Sequence, residues 1–120
     1  MNNREKEALP KAGFLNFWSW IGGRLERFEV AGDSMLPPLQ SGWVVLVNRR
    51  AYKTSPPEAG DIVLAEFPGT DNQPVVKRVH RSSTEGFDLR GDNPAQSDDS
   101  VTKGLVPPER ILGQVICTFP

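Results

Sequence analysis

The chain has one cysteine and one histidine in 120 residues. Cys117 therefore has no partner for an internal disulfide, and His80 with Cys117 falls short of the ligand cluster a zinc site needs. This usage suits a reducing compartment, and the expected location is cytoplasmic. An excess of one charge is also lacking. Fourteen Lys and Arg stand against fifteen Asp and Glu with no sizeable block of one sign, which leaves no electrostatic footprint for a nucleic-acid partner. Long hydrophobic runs are absent as well. The most apolar stretch before the core, FLNFWSWIGG at 14–23, holds a run of eight residues that includes Asn16 and Ser19, whereas a spanning helix needs about 20. The preceding MNNREKEALPK is mixed in charge and the following RLERFEV has no small-residue cleavage site, so a secretory signal is not expected. Trp18 and Trp20 allow two readings, a peripheral contact with a membrane interface or packing on the domain.

Glycine and proline, eleven of each, are plentiful instead. They punctuate short β-type runs at 27–31, 43–49, 61–67, 74–81, 86–91 and 110–119, with turn signals at SPPEAGD, PGTDNQP, STEG and NPAQSDD. Neither internal repeats nor low-complexity segments interrupt this pattern. The expected fold is all-β, a curled mixed sheet of mostly antiparallel strands. Residues 1–27 read as an N-terminal appendage with one short helix over 12–27, broken or frayed at Gly22 and Gly23, and residues 28–120 as one domain with a single active region.

Three stretches bear on chemistry. GDSMLPPLQSG, residues 32–42, follows Ser34 closely with Pro37 and Pro38, each of which fixes φ and removes a backbone donor. The loop is either an ordinary Gly-Asp-Ser turn or a rigid platform for the serine. In PVVKRVH, residues 74–80, a strand period of two puts Val75, Lys77 and Val79 on one face and Val76, Arg78 and His80 on the other. Lys77 is then either desolvated among valines, with its pKa lowered toward that of a usable base, or extended along apolar surface with its head in water. A deprotonated lysine can activate a serine in place of histidine, and His80, on the opposite face, cannot easily join the same site. In LRGDNPAQSDDS, residues 89–100, Gly91 to Pro94 signal a turn; a hydroxyl from this loop can orient a buried amine, and Asp92 or Asp99 can pair with Arg78.

Four ordered stretches, GDSMLPPL, AGDIVLAEF, VVKRV and GDNPAQSDDS, resemble the boxes of the type I signal peptidase superfamily over roughly residues 28–116. The compact spacing, with NRRAY followed by PPEAGDIVLA, RGDNPAQSDDS and VPPERILGQV, most resembles the small proteases that mature nickel-type superoxide dismutase. The resemblance implies a Ser-Lys endopeptidase with a signal-peptidase-like sheet and no cofactor or metal. It makes Ser34 the nucleophile, Lys77 the general base, Ser97 the hydroxyl that orients the amine, Arg78 and Asp92 a supporting pair, and Met35 a residue of the substrate cleft. The Ser34 N–H would bind the oxyanion. Gly32 stands where some members add a hydroxyl, Pro38 where threonine is usual, and Val101 where many members have an arginine, which puts a salt bridge from Asp99 in doubt.

The expected partner is a precursor protein with an N-terminal leader, with nickel superoxide dismutase as the implied substrate. The lack of the usual membrane anchor and of the larger inserted β-domain argues against a bulk signal peptidase. The alternatives are a general signal peptidase, an autoprotease like the catalytic half of SOS repressors with Ala12-Gly13 as its bond, and a catalytically silent module that holds an extended peptide by edge-strand pairing.

Overall fold

The computed structural model describes residues 25–69 and 73–119. Six strands, β1 (Leu25–Glu29), β2 (Val44–Asn48), β3 (Ile62–Glu66), β4 (Pro74–Ser83), β5 (Gly86–Arg90) and β6 (Ile111–Phe119), form one sheet in the order β1-β2-β6-β3-β4-β5. Every neighbouring pair is antiparallel. The all-β expectation holds, but the sheet is not mixed: β6 enters between β2 and β3 and runs opposite to both, so no parallel pair arises among the described strands. A four-residue helix, α1 (Ser100–Lys103), follows β5. No helix among the described residues is long and apolar enough to cross a membrane.

The helix expected over 12–27, together with Trp18 and Trp20, lies outside the described residues as far as residue 24. Its last three positions are strand instead, because Leu25, Glu26 and Arg27 pair with Asn48, Val47 and Leu46 of β2. The ordered sheet thus begins three residues before the boundary read from the sequence.

β3 reads as a continuous apolar run because both of its faces are covered. Ile62 and Leu64 enter a cluster with Val30, Met35, Leu39, Val45, Val47, Val76 and Val115, while Val63 and Ala65 enter a second with Phe67, Val79, Phe87, Leu89 and Val106. Met35 and Leu39, 1% and 0% exposed, tie the segment after β1 onto the sheet, each burial worth about 1.5–3 kcal/mol. Val76 and Val79 fall in different clusters, as the two-residue period of β4 requires. The β4–β5 register shifts between Val79 and Arg81, and the extra residue there, His80, is exposed.

A buried ion pair ties β4 to the segment after β5. Arg78 donates through Nε to Asp92 Oδ1 at 2.9 Å and through Nη2 to Asp92 Oδ2 at 2.8 Å, and its Nη1 donates to Gly60 O at 2.8 Å. The two side chains are 10% and 4% exposed. Of the two candidate partners of Arg78, the structure selects Asp92. Arg78→Met is expected to lower stability by about 3–5 kcal/mol, since it leaves the Asp92 carboxylate buried without its cation, and Arg78→Met combined with Asp92→Leu should recover most of that loss. Urea unfolding of the parent, single and double variants measures both; a double variant no more stable than the single would show that the loss is not that of a stranded charge.

Candidate active site

Ser34 opens a turn that spans residues 34–38, just beyond the end of β1. Gly32, at φ +83, takes a conformation that disfavours a side chain, and its N–H donates to Ser41 Oγ at 3.1 Å. Within the turn, Leu36 N–H donates to Asp33 O at 3.3 Å and Leu39 N–H to Met35 O at 3.0 Å. Pro38 is buried, and the Leu36–Pro37 peptide is cis. The prolines are not the only restraint, however. Asn93, which follows the Arg78–Asp92 pair, reaches back across the fold: its backbone N–H donates to Ser34 O at 2.9 Å and its side-chain Nδ2 donates to Asp33 O at 3.0 Å.

Lys77 lies in β4 opposite Val63 and is 4% exposed. Of the two readings left open by its sequence, burial among apolar neighbours is the one observed. Burial pushes its pKa below the ordinary lysine value; Asp99 and Asp98 pull it back up, and the Lys103 cation adds to the lowering. Its Nζ donates to Ser97 Oγ at 3.0 Å. Ser97 is saturated: its hydroxyl donates to Asp99 Oδ2 at 2.6 Å while also accepting from Gly91 N–H at 3.1 Å. It therefore has a fixed acceptor direction for the lysine amine.

Asp99 anchors this chain of contacts. It caps α1 by accepting from Val101 N–H at 3.1 Å through Oδ1, and it accepts from Gly91 N–H at 2.9 Å through Oδ2. Burial alone would raise its pKa, but the Ser97 hydroxyl, the two backbone N–H groups and the Lys77 charge hold it below the ordinary carboxylate value. The Val101 side chain, standing where an arginine is usual in the resembled family, is 70% exposed. Its backbone N–H, rather than an arginine side chain, reaches Asp99.

Ser34 and Lys77 line one cleft of about 370 Å³. Phe28, Val30, Met35, Phe67, Val75 and Val76 form its apolar walls, with Asp33, Gln73, Gln96, Asp98 and Lys103 supplying polar groups. Met35 belongs to this lining but is also packed in the first core cluster, so it supports the cleft wall. The cleft brings together Ser34, Lys77 and, behind the amine, Ser97; Arg78 and Asp92 support it from outside, and His80 is not part of it. Two residues of the assembly, Gly91 and Asn93, carry only a turn signal in the sequence. A G-D-N-P run gives that local signal and none of the contacts that reach 60 positions back along the chain.

The all-β sheet fits, and the match to a family model supports, a serine peptidase of the signal-peptidase and repressor type. The chain belongs to the Peptidase S24-like family, whose model matches residues 18–116. No curated protein matches the chain.

Gly91 is where the parts converge, because a Cβ there would lie 2.6 Å from Ser34 O and 2.8 Å from Ser97 Cβ. Neither neighbour is the free end of a flexible side chain. Gly91→Ala should lower stability by about 1–3 kcal/mol and drive the Ser34 loop and Ser97 apart. Thermal unfolding and the chemical shifts of residues 33–35 and 97 test this; unchanged shifts at both segments would refute the crowding argument.

Proposed function

We propose that the chain is a serine endopeptidase that cuts a precursor protein next to an N-terminal leader, with Ser34 as nucleophile and Lys77 as general base. The observation that carries this reading is the burial of Lys77 in the apolar cleft that also holds Ser34, its amine steered by Ser97. A neutral lysine amine that donates one N–H to Ser97 keeps its lone pair for the serine proton. In the first step Ser34 Oγ attacks the scissile carbonyl carbon, its proton passes to Lys77 Nζ, and the carbonyl oxygen becomes an oxyanion beside the Ser34 backbone N–H. The C–N bond then breaks as the Lys77 ammonium returns its proton to the leaving amine, which leaves an ester on Ser34. Water attacks that ester with Lys77 again as base, the new acid departs, and Ser34 recovers its proton. One water is consumed per bond cut, and no cofactor takes part.

Ser34→Ala and Lys77→Met are each expected to lower kcat on the order of 10⁴-fold or more, with the fold retained, while His80→Ala keeps its activity. Because only the neutral amine accepts the proton, and burial holds the Lys77 pKa below its ordinary value of 10.5, the rate should rise with pH through a midpoint below 10.5. A Lys77→Met variant as fast as the parent, or a midpoint no lower than that of a free lysine, would refute the mechanism.

The proposed substrate is a nickel-type superoxide dismutase precursor, and the proposed setting is the cytoplasm, which cell fractionation checks. Support comes from the sequence resemblance and from the ligand chemistry of such a substrate. Before cleavage its terminal donor is a peptide nitrogen, a poor ligand, whereas cleavage frees an amine beside an imidazole and nearby thiolates, a set that suits nickel. The purified chain mixed with this precursor and with a secretory precursor, followed by mass spectrometry of new N-termini, should show cutting of the first. Cutting of the secretory precursor alone would indicate a general signal peptidase. Cutting of the Ala12-Gly13 bond alone, which lies outside the described residues, would indicate an autoprotease, and no cutting by a folded sample a peptide-binding module.

A further inference from the structure

We propose that Asn93 is a positioning residue that aims the oxyanion-binding N–H of Ser34, an inference that rests on the peptidase reading above. The Asp33 carbonyl and the Ser34 N–H belong to one peptide unit, which is planar and trans, so the two groups point in opposite directions. Whatever holds the Asp33 oxygen therefore also sets where the Ser34 N–H points. Asn93 Nδ2 holds that oxygen at 3.0 Å, closer than the 3.3 Å contact from Leu36 N–H within the turn. The next carbonyl, Ser34 O, is fixed by Asn93 N–H at 2.9 Å and crowded by Gly91, so one residue restrains both peptide units that flank the nucleophile.

Asn93 is itself held in place. Its carbonyl accepts from Gln96 N–H at 3.0 Å, and the preceding Asp92 is fixed by Arg78. The side-chain contact has an electronic effect too. A carbonyl that accepts a hydrogen bond polarises the N–H of its own peptide, which makes that N–H a better donor to developing negative charge. The Asn93 side chain thus serves the serine turn, while the Lys77 amine is held by Ser97 Oγ, which donates in turn to Asp99.

The test uses a peptide that the wild-type chain cleaves and the aldehyde of its N-terminal half. Ser34 Oγ adds to the aldehyde carbon, the serine proton passes to Lys77, and the aldehyde oxygen becomes an alkoxide facing the Ser34 N–H. Asn93→Ala should lower kcat by roughly 10- to 100-fold and weaken aldehyde binding by a similar factor, with KM and the pH midpoint unchanged. Should the alanine variant fail to fold, Asn93→Asp, similar in shape but without the donor, serves for kcat and aldehyde binding. Wild-type kcat and aldehyde affinity in the folded variant would overturn the proposal, as would a rise in KM as large as the loss of aldehyde affinity, which is the mark of general disorder in the cleft. A folded wild-type chain that cleaves no peptide removes the peptidase reading, and this inference with it.

Discussion

The site depends on a close approach at the end of β5. There the Gly91 backbone lies against both the Ser34 carbonyl and the Ser97 side chain, and its N–H serves Ser97 and Asp99 together. A methyl group in that space would displace one partner or the other. The segments so joined come from distant parts of the chain, the turn after β1 and the loop before α1. Core packing alone sets such distances loosely. Saturated hydrogen bonds with fixed directions set them more tightly, and Ser97, with one proton to give and two contacts to accept, leaves little freedom.

Opposing electrical demands meet at Lys77. Catalysis in the proposed sense needs the amine neutral near physiological pH, which burial favours, but it also needs the amine able to take a proton during the reaction, which the negative charge of Asp99 favours. Asp99 meets the second demand without directly capping the amine, because Ser97 stands between them. A carboxylate in direct contact would favour the ammonium form more strongly. The hydroxyl between them passes on orientation and softens the charge.

The strands were legible because each carries its own apolar period and is bounded by glycine or proline, and all six appear close to the expected limits. Lys77 stood out because a charge among valines conflicts with that period, and the conflict marked the site. Pairing order was not legible: nothing local in 111–119 says that β6 inserts between β2 and β3, and the bulge that sets His80 outward follows from pairing with β5. The contacts of Gly91 and Asn93 were hidden for a related reason, and Asp99, legible as a candidate partner of Arg78, turned out to hold Ser97 and Gly91 instead. Gly91 and Asn93 each have a sufficient local explanation as turn residues, while their larger part comes from the serine turn near residue 34, far away in sequence. The residues 25–27 went to strand rather than helix because pairing with β2 outweighs the helix propensity of a short segment.

The place of β6 has a consequence for the timing of biosynthesis. The serine loop grows from the β1–β2 ladder and the lysine sits in the β3–β4–β5 ladder, and among the described strands only β6 joins the two within the sheet. During translation both ladders emerge before the strand that joins them within the sheet, so until residues 111–119 are available the serine turn and the lysine strand can meet only through the packing of Met35 and Leu39 on β3 and β4 and through the Asn93 contacts.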